Sequence, residues 1–248
     1  QMSARALANA QKALCDIYDG VLKRAEAVHG ASVWQLRPRL ATVASWVGYD
    51  LDGRSDIDWA TSLRFRYISA AKQAELYVRE WNDLAKGWAA EDARAVVAAL
   101  GELADIYRCH SDAVPGSAED IAQTETFSKL CVRDNPRRTE LIQRIKRQLP
   151  KLAKLAEGSG RSSALALFAA RFKTNGFGLN HVHFRLNAAQ LHNAVRPAVA
   201  MESAPDVASN RRRYLAALSD LIESANTEQI NFGSLLKERT TARRLFML

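Results

Sequence analysis

The sequence predicts a mainly α, helical-bundle-like fold with about one short β-strand. Three observations predict it. Apolar residues recur at helical spacing over most of the chain. Gly, Pro, Asn and Asp punctuate those runs where helices start and stop. The segment "LNHVHFRLN" alternates apolar and polar residues with period two, the signature of a half-buried strand.

The first helix spans residues 3–29. Ala6, Leu7, Ala10, Leu14, Ile17, Tyr18 and Leu22 form its face, and Gly30 is its stop. Residues 31–43 contain Pro38, which breaks a helix, and read as extended. A turn over Trp46–Ser55 follows. Asp56 is a good N-cap for a helix running to about Trp88, with Ile57, Leu63, Tyr67, Ile68, Ala71, Leu76 and Tyr77 as apolar positions. A helix over 91–110 is stopped by the turn cluster "SDAVPGSAED", and a shorter one covers 118–131.

Asn135-Pro136 signals a new helix with the stripe Ile142, Ile145, Leu149, Leu152 and Leu155, kinked at Pro150. "RSSALALFAARFKTNGFG" gives a helix from Ser162 or Ser163 to Gly176. On the strand, Val182, Phe184 and Leu186 face one way; His181, His183, Arg185 and Asn187 face the other. Three further helices cover "AAQLHNAVRPAVA", "APDVASNRRRYLAALSDLIESAN" and "NFGSLLKERTTARRLFML". A lone strand is unstable, so this one needs partners from elsewhere. The chain reads as one helical unit, 1–248, with a possible subdivision into 1–132 and 133–248. From the opening Gln1-Met2 and the uncapped "TTARRLFML" we expect it to be a piece of a longer protein.

Composition narrows the class. The chain has 248 residues, 48% hydrophobic and 25% charged, enough for a substantial core. The net charge of +8 attracts anions: phosphorylated metabolites, nucleic acid or anionic lipid. Cys15, Cys109 and Cys131 are odd in number and far apart, neither a disulfide framework nor a zinc site. A reducing, cytoplasmic setting fits, with no secretory signal in the first residues and no apolar run long enough to span a bilayer.

Several groups carry possible chemistry. Gly48-Tyr49-Asp50-Leu51-Asp52-Gly53-Arg54 sets two carboxylates and an arginine at the mouth of a long helix. It reads either as a tight turn with a cap or as an anion-binding corner. An EF-hand is excluded, because the twelfth residue from Asp50 is Thr61, not Glu. His181 and His183 share a strand face, with His192 further on. Polar packing, a metal trio and a general base are all open to them. Arg137, Arg138, Arg144, Lys146, Arg147, Lys151 and Lys154 make a basic helix that reads as a solvated face or as a polyanion-binding surface. It lacks the aromatic residues that stack bases, which weighs against nucleic acid. "NRRRYL" is a second, shorter basic cluster at a helix start, where positive charge is unfavourable. Trp34, Trp46, Trp59, Trp81 and Trp88 read mostly as core or subunit contacts.

"SWVGYDLDGRSDIDWAT" resembles the segment "S-W-[ML]-G-G-D-R-D-G-N-P-x-V-T" of phosphoenolpyruvate carboxylases. Ser45, Trp46, Gly48, Asp50, Asp52, Gly53 and Thr61 fall on like positions. "FKTNGFGLNHVHFRLNAAQLHNAV" resembles that family's "FGxxLVRxDIRQES" strand, in the same order and at a similar separation. The resemblance covers residues 30–200 and implies a middle portion of a larger α/β-barrel-type lyase. Such an enzyme joins bicarbonate to phosphoenolpyruvate, giving oxaloacetate and phosphate, with Mg2+ or Mn2+ as Lewis acid. A cytoplasmic homo-oligomer that supplies oxaloacetate is implied with it.

The departures are specific. Tyr49 replaces the motif's second glycine, Leu51 its arginine, Arg54 its asparagine and Ser55 its proline. On the strand, His183 falls on the first family arginine, Arg185 on the aspartate and Asn187 on the second arginine. A two-residue slip preserves strand facing, which lets Arg185 stand for an anion-holding arginine. The resemblance implies a substrate-binding set of Arg54, Arg185, His183 and Asn187. Asp50 and Asp52 shape the turn with Trp46, Gly48 and Gly53. Each lost guanidinium costs about 1.5–3 kcal/mol at an anion site. The family's catalytic histidine lies before the matching segment and its metal ligands after it. The segment alone is therefore expected to hold no metal and to be inactive. Two alternatives stand beside this: a degenerate relative acting as a binding or regulatory scaffold, and a basic helical nucleic-acid-binding module.

Overall fold

The structure is a computed structural model and describes residues 2–30, 32–33, 41–50, 56–86, 91–117, 119–156, 161–201, 208–226, 232–238 and 242–243. It is mainly helical, with one two-stranded parallel sheet among the described residues.

Helix α1 spans Met2–His29 and ends at Gly30, whose φ of 79° suits glycine. Its inward Gln11 donates from Nε2 to the Leu179 carbonyl at 2.6 Å, and Leu22 packs with Val33 and Leu167. The expected extended stretch 31–43, with Trp34 and Pro38, falls mostly outside the described residues.

Helix α2 spans Trp59–Leu84. Its N-cap is Asp58, not Asp56: Asp58 Oδ1 accepts from the Thr61 amide at 2.7 Å. An N-cap oxygen reaches only the second or third amide of the first turn, and Asp56 lies two residues too early. The helix closes at Leu84, where the Ala85 amide bonds to the Trp81 carbonyl at 2.8 Å. Trp88, its expected end, lies outside the described residues.

Helix α3 covers Glu91–Ala113, and helix α4 covers Ile121–Ala156. Asp120 caps α4 by accepting from the Gln123 amide at 2.9 Å. The sequence predicts two helices here; the structure has one, with Pro136 and Pro150 inside it. Each proline removes one backbone hydrogen bond. Burial on both sides of Pro136 offsets that loss: Phe127 is 1% exposed, Leu141 and Ile145 are fully buried. The helix runs unbroken through residues 132 and 133. Its buried stripe keeps the expected Ile145, Leu149 and Leu152, but its ends are Leu141 and Ala156 in place of Ile142 and Leu155, and Leu155 is 60% exposed.

Helix α5 covers Ser162–Asn175 and stops at Gly176, φ 53°. With α2, α3 and α4 it closes the main core, built from Tyr77, Trp81, Val96, Leu100, Leu103, Leu141, Ile145, Leu152, Leu165 and Phe168. Trp81 Nε1 donates to the Ala93 carbonyl at 3.0 Å, so its one polar atom is satisfied in that core.

Strands β1 (Ala44–Ser45) and β2 (His181–Val182) pair in parallel, Ala44 against His181 and Ser45 against Val182. The strand expected to need an outside partner therefore finds one in its own chain. A two-residue strand has no periodicity to read, which hid β1 in the sequence. Helices α6 (Ala188–Val195), α7 (Ala208–Ser224) and α8 (Phe232–Lys237) follow. No helix among the described residues is long and apolar enough to cross a membrane.

Candidate functional site

The site is built where β1 runs into its turn and β2 runs on toward α6. Three backbone bonds zip the segments together. His181 donates to the Val43 carbonyl at 2.7 Å, His183 to Ser45 at 3.0 Å, and Arg185 to Tyr49 at 3.3 Å. Asp50 and Arg185 form a parallel bridge at the open end. Residues 135 apart in sequence thereby share one corner.

Helix α2 clamps the bend from below. Gly48 has φ 83°, and an added Cβ would lie 2.9 Å from Phe65 Cγ, so no side chain fits there. Ser62 Oγ donates to the Gly48 carbonyl at 2.8 Å. Tyr49 then inserts its ring into an apolar cluster with Ile57, Phe65, Val182 and Leu186 and is 4% exposed. Burial pushes its phenol up to about 12, so it stays protonated at neutral pH.

At the surface, Arg185 Nη1 lies 3.4 Å from Asp50 Oδ2, and its guanidinium sits 5.7 Å from the Trp46 ring centroid. The Arg185 side chain is half exposed; that of Asp50 is 19% exposed. A long, exposed ion pair contributes under about 1 kcal/mol, so it orients the two groups more than it holds the segments together. His181 on β2 and His183 just after it are exposed, near Arg185 in the chain. Asn187 is engaged locally: its Oδ1 accepts from the Gln190 amide at 2.8 Å, and Gln190 Oε1 accepts from the Asn187 amide at 3.0 Å. This capping box starts α6. The corner thus joins Trp46, Gly48, Asp50, His183 and Arg185. Asp52, Gly53 and Arg54 lie outside the described residues.

Other polar groups are spoken for by the fold. His192 Nδ1 lies 3.2 Å from Tyr214 OH and ties α6 to α7. On α4, Arg137 pairs with Glu102 and Glu140, and Arg144 with Glu140, while Lys146, Arg147, Lys151 and Lys154 face solvent. No group of three or more His, Cys, Asp or Glu among the described residues is placed to hold a metal ion.

The sequence reading missed three features. The Ser62–Phe65 clamp left no signal beyond two residues one helical turn apart. Arg171 is 8% exposed, contacts Glu80 and lies 5.3 Å from the Tyr77 ring. Its place among apolar residues, three after Phe168, was the available sign. His110 is fully buried, and its Nε2 lies 3.0 Å from Asp134 Oδ2. Burial holds its imidazole below the ordinary value, partly countered by that carboxylate. Hydrogen bonding by Arg133 holds Asp134 below the usual carboxylate range.

No family model, curated protein or solved structure matches the chain.

Proposed function

We propose that this chain carries an anion subsite of a phosphoenolpyruvate carboxylase-like lyase, with Arg185 as the binding group. The observation that carries the reading is the juxtaposition of Asp50 and Arg185. The two sequence segments that resemble that family's motifs are distant in the chain, yet they run parallel and end side by side. Arg185 supplies planar donors suited to a carboxylate or phosphate. Trp46 backs the guanidinium with an apolar face, and Asp50 orients it. His183 stands on the same extension of β2, two residues before Arg185, as a second donor to the anion.

The role assigned to these residues is binding and orientation. The substrates of the whole protein are phosphoenolpyruvate and bicarbonate, and the bond-forming step belongs to groups beyond this corner. The parallel pair β1–β2 forms part of a larger barrel in a cytoplasmic homo-oligomer. A second reading, a scaffold that keeps the anion corner without turnover, is favoured by Asn187. It falls on a family arginine, and its side chain serves as a helix cap.

Calorimetric titration with phosphoenolpyruvate tests the site. Arg185→Ala is expected to weaken binding by tenfold or more, about one charge-assisted hydrogen bond. Equal affinity in wild type and variant removes Arg185 from the site. Oxaloacetate formation from phosphoenolpyruvate and bicarbonate by the whole protein separates the two readings: turnover supports the lyase, and anion binding without turnover supports the scaffold.

A further inference from the structure

The Asp50 contact is too long and too exposed to fix where Arg185 points. The neighbours of Arg185 in the chain are better held. The Phe184 ring meets the Tyr49 ring edge-on, centroids 5.4 Å apart at 88°. Leu186 packs into the buried cluster that Tyr49 forms with Ile57. On its other side Tyr49 meets Phe65 of α2 edge-on, 6.4 Å apart at 84°. Its carbonyl also accepts the Arg185 amide.

In extended chain, residues on either side of a position point to the opposite face. Holding 184 and 186 against Tyr49 therefore turns 185 outward, toward Trp46 and Asp50. We infer that Tyr49 is a positioning residue, whose ring, wedged between α2 and the β2 extension, aims Arg185 at the anion. This inference rests on the reading of Arg185 as the anion-binding group. It also gives the Tyr49 departure from the family-like motif a purpose. A glycine there has no ring to pack against Phe184, so this chain directs its arginine by a wedge of its own. The ring carries the effect, not the hydroxyl.

The test titrates phosphoenolpyruvate, with inorganic phosphate as a second probe, into wild type, Tyr49→Phe, Tyr49→Ala, Phe184→Ala and Arg185→Ala. Tyr49→Phe is expected to bind within about twofold of wild type, since it keeps the ring. Tyr49→Ala and Phe184→Ala are expected to lose about tenfold, near the loss of the arginine itself, since a misdirected guanidinium forfeits its charge-assisted hydrogen bond. Phe168→Leu, in the distant core, serves as control: it lowers the melting temperature and leaves anion affinity alone. Where Tyr49→Ala does not fold, the half-exposed Phe184→Ala decides. A folded Tyr49→Ala or Phe184→Ala that binds like wild type, beside an Arg185→Ala that does not, overturns the wedge and leaves the anion site standing. An Arg185→Ala that binds like wild type overturns the anion site itself.

Discussion

The helical core and the strand corner are held by different means. Across α2–α5, large side chains interlock: Tyr77, Trp81, Leu100, Leu103, Leu141, Ile145, Leu152 and Phe168 are all fully buried. At the corner, two strands of two residues each are held by a few backbone bonds, one glycine and one wedged tyrosine. The core resists change through volume; the corner resists through geometry. The difference teaches that substitutions in the core should cost stability broadly. At the corner, changes in side-chain direction should alter ligand affinity, and stability should suffer where the geometry of the bend itself is violated, as at Gly48.

The largest expected effect lies in the core. Trp81→Ala leaves a cavity and removes the indole hydrogen bond to the Ala93 carbonyl, and should cost about 3–5 kcal/mol in denaturant unfolding. A loss under 1 kcal/mol would mean that α2 and α3 do not pack as described. At the corner, Gly48→Ala meets both an unfavourable φ and Phe65. It should cost about 1–3 kcal/mol by the same measurement. A neutral result there would break the contrast, since it would show the bend to be plastic.

A pH effect comes next. His110 is buried with its proton affinity lowered below the ordinary 6.5. The unfolded chain takes up a proton below that value before the folded chain does. The stability linked to His110 is therefore complete above pH 6.5 and falls as pH drops below it. Urea midpoints across that range should decline less steeply in His110→Gln than in wild type. An equal slope would mean that the linkage lies elsewhere. The smallest effect is on the surface: Glu102→Gln removes the exposed partner of Arg137 and should cost less than about 1 kcal/mol, and less still at high salt.

The same contrast explains what the sequence made legible. Helices α2, α3 and α5 follow from apolar spacing, because each buries a stripe along its length and the period repeats. Pro136 was misleading because proline propensity is local, whereas Phe127, Leu141 and Ile145 hold the helix from both sides. The corner was half legible. "LNHVHFRLN" alternates, so the facing of Arg185 was readable. Its partner β1 was not, because two residues carry no period. Tyr49 was visible only as a departure from a motif, since its worth depends on Phe65 and Phe184, which spacing does not bring together. The capping box at Asn187 carries a local sequence signal, an Asn followed three residues later by Gln, which its match to a family arginine had obscured.

The central claim is that the bend at Gly48–Asp50 and the extension of β2 through Arg185 act as one anion-binding corner. Backbone amide shifts of the labelled chain, followed as phosphoenolpyruvate is added, test this most directly. The account predicts that the amides of Tyr49, Asp50 and Arg185 move together along one saturating curve, while those of the α3–α4 core stay fixed. Shifts confined to the basic face of α4, or to only one of the two segments, would contradict it.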